Sequence, residues 1–215
     1  MGCTKYFLPR EVAAHNKPED MWLSFLGKVY NVTPLYYKYK GHMLLKPIIA
    51  EAGKDISHWF DPVTKDLRKH VDPITGIRKY YTPHGRFLHV PPPFPRSDHI
   101  TDLGRPWWRD SAYEIGLLAQ KTRLIYIVNT LTLHEHVLQV CSEENIKAIL
   151  QRYLHYNAHA ASYTWKYKGE VLDMEETLED NGVVDEGEDF YTLRMDAEKY
   201  LQTIHLYFND DLTIA

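Results

Sequence analysis

Twelve histidines, two cysteines and a phenol set between two lysines are the residues of this 215-residue chain with the means for chemistry. The phenol is Tyr39, in Lys38-Tyr39-Lys40-Gly41-His42, where the flanking ammonium groups lower the cost of ionising a group whose ordinary pKa is about 10. His134 and His136 stand at strand spacing, which puts both on one face, but no cysteine or third ligand lies near them. That pattern reads as solvated or core histidine rather than zinc. Cys141 falls at the end of a predicted strand and Cys3 is far from it, so neither a nucleophile nor a disulfide framework is expected. The chain has no G-x-S-x-G, H-E-x-x-H or C-x-x-C and no phosphate-binding loop, so it is not expected to be an enzyme. The carboxylates between Glu175 and Asp189 read as a solvated face.

The elements that must hold these groups are legible from residue 9 onward. Pro9 suits a first helical position, and residues 10–16 form a short helix that stops at Asn16-Lys17-Pro18. Trp22-Leu23-Ser24-Phe25-Leu26 and Val29-Tyr30-Asn31-Val32 are apolar, β-branched and aromatic runs separated by Gly27-Lys28, the pattern of a β-hairpin. Thr33-Pro34-Leu35-Tyr36-Tyr37 starts a short helix, residues 38–42 turn, and residues 44–51 form a longer helix closed by Gly53. Asp55 then opens the turn Ile56-Ser57-His58-Trp59-Phe60.

Composition bounds the class. An apolar fraction of 44% with 25% charged residues is that of a globular protein, and a net charge of −4 gives no electrostatic case for nucleic acid. No apolar run approaches the roughly 20 residues that span a bilayer, so no membrane partner is expected. Met1-Gly2-Cys3 begins like a myristoylation signal, but Tyr6 stands where Ser or Thr is required. A cytoplasmic, reducing compartment is expected from the sparse cysteines.

Tyr6-Phe7, Glu11-Val12, His15-Asn16, Trp22-Leu23, Lys28-Val29-Tyr30-Asn31-Val32-Thr33 and Ala52-Gly53-Lys54-Asp55 with Phe60 follow one another as they do in a cytochrome b5 domain, which residues 6–70 resemble. The resemblance implies an α+β fold and a heme b cofactor. The family's first iron ligand is the histidine of an H-P-G-G turn. Here that turn is Tyr39-Lys40-Gly41-His42: Tyr39 takes the ligand position, the proline is absent, and His42 is the other local candidate. A tyrosinate is an established heme ligand. For the second ligand the candidates are His70 and the earlier His58, of which His70 is preferred, with Asp66 to His70 expected as a displaced helical end. Tyr39 and His70 are therefore the expected metal and cofactor ligands. A six-coordinate iron so held suits electron transfer or redox sensing.

Further along, Arg78-Lys79-Tyr80-Tyr81-Thr82 and Arg86-Phe87-Leu88-His89-Val90 around Pro83-His84-Gly85 read as a second hairpin. Pro91-Pro92-Pro93-Phe94-Pro95 favours extended polyproline geometry. Trp107-Trp108 either packs onto a flanking domain or faces a partner, and packing is expected. The expected domains are residues 4–90, a Pro/Trp-rich linker over 91–120, and a second domain over 121–215. In the second, residues 123–130 and 136–140 form a hairpin, a helix capped by Ser142 follows with Ile146, Ile149, Leu150, Tyr153 and Leu154 as its apolar stripe, and strands occupy 162–167 and 170–172. Thr177 to Val183 follows, and after it come the runs 189–193 and 203–208. This ββαββ order, with Trp165 to Gly182 as its most specific stretch, resembles a ubiquitin-like β-grasp domain. The chain stops at Leu212-Thr213-Ile214-Ala215 without Gly-Gly, so conjugation to substrates is not implied. A cytochrome b5-like domain joined to a ubiquitin-like one resembles a family of ciliary proteins. That resemblance implies an axonemal, cytoskeletal protein of motile cilia, partnered by radial spoke and other axonemal proteins and needed for coordinated beating.

Overall fold

The computed structural model describes residues 5–92, 94 and 104–209. The Met1-Gly2-Cys3 start, Pro93 and Pro95 of the proline run, and the last four residues lie outside the described residues. The chain divides after Leu118 into two compact units.

The first unit is built on strands β1 (Tyr6–Phe7), β2 (Asn16–Lys17), β3 (Asp20–Phe25), β4 (Lys28–Asn31) and β7 (Glu114–Leu118), in the spatial order β1-β7-β4-β3-β2. The β3–β4 hairpin turns at Leu26-Gly27, whose φ angles of 50° and 77° are the paired positive values a two-residue turn needs. Helix α1 (Pro9–Ala14) starts on its proline, α2 (Thr33–Lys38) carries Leu35 inward, and α3 (Lys46–Ala50) buries Pro47 and Ile48. Tyr30 on β4 is buried beside Glu114, and burial first, then that carboxylate, pushes its phenol up to about 12.

The expected linker over 91–120 needs correcting. Residues 104–118 belong to the first unit: β7 runs parallel to β1 and antiparallel to β4, at the heart of the sheet. Ahead of it, Trp107–Arg109 makes a short 3-10 turn that buries both tryptophans in the same core as Phe25, Phe60 and Phe87. The expectation that Trp107-Trp108 packs is met, because two indoles left in water would forgo several kcal/mol of burial, about 25 cal/mol per Å2. Gly116 of β7 lies so close to β1 that a Cβ there would stand 2.3 Å from the Lys5 carbonyl oxygen and 2.8 Å from the Phe7 ring. Gly116→Ala is expected to cost about 1–3 kcal/mol in denaturant unfolding, as overpacking does.

Two further expectations fail between Phe60 and Val90. Lys69–Val71 is a strand, β5, not a helical end, and it pairs antiparallel with β6 (Arg78–Tyr80), so β6 makes no hairpin with residues 86–90. The reason is the turn between them. Asp72 accepts the N–H groups of Ile74 at 2.9 Å and Thr75 at 3.0 Å, and Lys79 Nζ donates to its other oxygen at 2.6 Å. That turn chemistry outweighs the weak helical pattern of the charged run. Lys79 and the two backbone donors hold the Asp72 carboxyl far below the usual range. Phe87 and Leu88, expected in a strand, go into the core instead.

The second unit is a mixed sheet of β8 (Thr122–Asn129), β9 (Glu135–Cys141), β10 (Tyr163–Tyr167), β11 (Glu170–Val171) and β12 (Thr203–Phe208), in the order β11-β10-β12-β8-β9. Only the β12–β8 pairing is parallel. Alternation along β8 buries Arg123, Ile125, Ile127 and Asn129. Helix α4 (Ile146–Tyr153) presents Ile146, Ile149, Leu150 and Tyr153 to the same core. It starts three residues later than Ser142 suggests, because the Asn145 side chain accepts the Ala148 N–H and caps it. The run 189–193 lies largely within helix α5 (Gly187–Thr192).

Candidate functional site

Tyr39 follows the last residue of α2, half-buried, with the Lys38 ammonium 5.3 Å from its ring centroid. Its hydroxyl lies 3.4 Å from His89 Nε2. The other nitrogen of that ring, Nδ1, accepts the backbone N–H of Trp107 at 3.0 Å. This second bond assigns the tautomer: with Nδ1 accepting, the proton of neutral His89 sits on Nε2 and is donated toward the Tyr39 oxygen. Burial, and then repulsion by Lys38, lowers the His89 pKa from its ordinary 6.5. A second, partly buried phenol, Tyr113, feels the charges of Lys38 and Tyr39 as well, and burial raises its pKa. His89 adopts a φ of 66°, in the left-handed region that non-glycine residues seldom occupy, so the fold over-determines its position.

A pH dependence follows. Because the folded state disfavours protonated His89, its contribution to stability is present above the ordinary pKa of 6.5 and is lost as pH falls through the lowered folded value. Asparagine at this position can accept the Trp107 N–H and tolerates positive φ. His89→Asn is therefore expected to flatten the decline in Tm on acidification from neutral pH; an unchanged slope would remove His89 from the account.

His70 is elsewhere in the unit. It lies exposed on β5, opposite Lys79, with its ring 6.5 Å from that of Tyr81. It borders an open cleft of about 660 Å3 with Arg78, Tyr80, Tyr81 and Arg86, to which Tyr39 contributes nothing. Among the described residues no hydrogen bond or ring contact joins Tyr39 to His70. Of the alternatives, His42 is exposed with its Nδ1 accepting the Leu44 N–H at 3.2 Å, and His58 is exposed beside Trp59 and Tyr81.

The chemistry of these donors decides how heme fits. A bis-axial site requires two ligands facing each other across a slot wide enough for the macrocycle. Here the Tyr39 oxygen already has an imidazole N–H against it, and His70 stands on a solvent-facing hairpin. Trp59, Phe60, Phe87 and Trp107 are fully buried in one hydrophobic core with Leu35 of α2 and Ile48 of α3. Among the described residues the buried indole N–H groups of Trp59 and Trp107 have no acceptor, but an indole is only a donor and adds no iron ligand. Tyr39 and His70 therefore do not fit heme as a pair. His89 was missed in the sequence because its link to Tyr39 spans 50 positions and depends on Trp107, with no spacing motif to announce either.

Comparison with known proteins places this geometry. Residues 9–82 match the family model of the cytochrome b5-like heme/steroid binding domain. The cytochrome b5 domain-containing protein 1 of Xenopus laevis is 60% identical over 97% of this chain and 96% of its own length. The chain belongs to the cytochrome b5 domain-containing protein 1 family. The Homo sapiens and Mus musculus members are 59% and 58% identical over 97% of the chain and 92% of their own length. The likeness to cytochrome b5 thus lies within the first unit, and the likeness to this family covers both units.

Proposed function

We propose that the chain is an assembly protein of the ciliary axoneme, associated with radial spoke and other axonemal proteins, whose cytochrome b5-like unit serves as a docking scaffold. The observation that carries the scaffold reading is the buried aromatic core. Trp59, Phe60, Phe87 and Trp107 occupy the core between the sheet and the loops, so the unit is held together by its own side chains. The second unit supports the same reading. Its central parallel pair β12–β8, with antiparallel neighbours and a shared core with α4, supports reading it as a ubiquitin-like β-grasp that serves in protein docking. No described helix is long and apolar enough to cross a membrane. The axonemal setting rests on the resemblance of the whole chain to a ciliary family. Cross-linking the tagged full chain in isolated axonemes is expected to recover radial spoke proteins; complete extraction of the chain into the detergent-soluble fraction, with no such cross-links, would overturn the assignment.

A second reading, a heme-binding redox sensor, has one observation in its favour. The half-buried phenol oxygen of Tyr39 is of a type that ligates heme iron, and His89, 3.4 Å from it, orients it. It would make Tyr39, supported by His89, the ligand in place of the Tyr39 and His70 pair.

A further inference from the structure

The open cleft of about 660 Å3 beside β6 has two arginines in its wall, Arg78 and Arg86, together with Tyr80, Tyr81, Pro91 and Pro92. Arg78 is exposed and Arg86 half-buried, and neither guanidinium has a hydrogen bond or ion pair among the described residues. Each therefore keeps its planar fork of N–H donors for an outside acceptor. The main chain beneath both is fixed. Arg78 stands opposite Val71 in the β5–β6 pairing, and Arg86 directly precedes Phe87 and Leu88, which are buried in the core. Donors mounted on fixed backbone lose less freedom when they take a ligand than donors on a loose loop.

The charge of the cleft has one sign. No carboxylate is among the described residues that line it. The third cation of the wall, Lys79, is already matched, since its Nζ donates to Asp72 at 2.6 Å, which leaves the two arginines as the unpaired charge. Lys69, whose Nζ lies 4.7 Å from the Tyr80 ring centroid, adds to the positive field at the rim. A local surplus of cations stands out in a chain whose net charge is −4.

We propose that this cleft docks an extended acidic peptide segment of a partner protein, with Arg78 and Arg86 each holding one of its carboxylates. Three features set the occupant. Two separate guanidinium forks match two carboxylates, each through parallel hydrogen bonds. Tyr80, Tyr81, Pro91 and Pro92 supply rings and apolar wall against which the segment between the two acids packs. The volume is far more than a lone inorganic anion fills and lies within the range of ligand sites, about 300 to 1,000 Å3. The proposal rests on the docking reading of the first unit and gives the partner's chemistry. Its test uses purified components, so its failure and a failure to cross-link in axonemes are separate results.

A fluorescein-labelled peptide of alternating glutamate and proline, titrated with the full-length chain and followed by anisotropy, tests this. Saturable binding is expected, weakening as salt is added, with amide shifts in the nitrogen-15-labelled chain centred on Tyr81, Thr82, Arg86 and Val90. Arg78→Gln combined with Arg86→Gln is expected to lower the affinity about tenfold or more, since charge-assisted hydrogen bonds are lost at both forks. Arg10→Gln combined with Lys17→Gln removes the same charge from exposed residues that do not line the cleft, and is expected to change the affinity by less than about twofold. Inorganic phosphate and polyuridylate are titrated in parallel. No saturable binding of the peptide, equal losses in the two double variants, or tighter binding of phosphate or polyuridylate would overturn the proposal. Should the arginine double variant not fold, the shift map of the unsubstituted chain decides: shifts centred outside residues 78–92 would sink the cleft as the site.

Discussion

A chain ending at Val90 is expected to be unfolded, and a chain ending at Leu118 is expected to melt cooperatively. The first lacks β7, the strand between β1 and β4, and so leaves β1 with no partner and β4 with a bare edge. It also lacks Trp107 and Trp108, 0% and 6% exposed, which fill the core against Phe25 and Phe87. Two polar ties go with them. Asp66 accepts from Trp108 Nε1 at 2.9 Å and from Arg109 Nη2 at 2.8 Å, fastening residues 107–109 to the loop before β5, and Lys28 pairs with Glu114 at 2.8 Å. Truncating a buried tryptophan costs about 3–5 kcal/mol. Losing two, together with a sheet strand, consumes most of the roughly 5–15 kcal/mol by which a domain is stable. Far-UV circular dichroism and amide dispersion of the two chains check this. A folded chain ending at Val90 would mean that residues 104–118 are a tether after all.

The second large effect is expected from a single substitution within that segment. Trp107→Ala should destabilise the first unit by about 3–5 kcal/mol, since the indole meets Phe25, Phe87 and Trp108 edge-on or tilted and the cavity cannot close without moving them. In thermal melts that amounts to a fall in Tm of roughly 10–25 °C for a unit of this size. Trp107→Phe is expected to retain much of the stability: it gives up ring area but also removes an indole N–H that has no acceptor among the described residues. An alanine variant within about 1 kcal/mol of the parent would show that the core does not depend on this segment.

How much of this was legible in the sequence varies with how local the determinants are. The β3–β4 hairpin, α1 with its proline start, and α4 with its stripe from Ile146 to Tyr153 follow from residues a few positions apart, and the structure has them close to where the pattern put them. β7 was not legible. Glu114-Ile115-Gly116-Leu117-Leu118 lies after a proline-rich stretch, and its role as a central strand comes from pairing with residues more than 80 positions earlier. The same holds for the candidate site. Tyr39 stands out by its lysines and its place in a known turn, whereas His89 carries no local signal. His70 follows only from a frame of helices that the Asp72 turn replaces with a hairpin.

The central claim is that the cytochrome b5-like unit is completed by its own aromatic core and does not depend on heme held by Tyr39 and His70. The measurement that tests it most directly is the absorption spectrum of the purified full-length chain after incubation with hemin and desalting, beside Tyr39→Phe and His70→Ala. The account predicts no Soret band of ligated heme in any of the three. A stoichiometric Soret band in the parent, lost in both variants, would contradict it and restore the paired ligands.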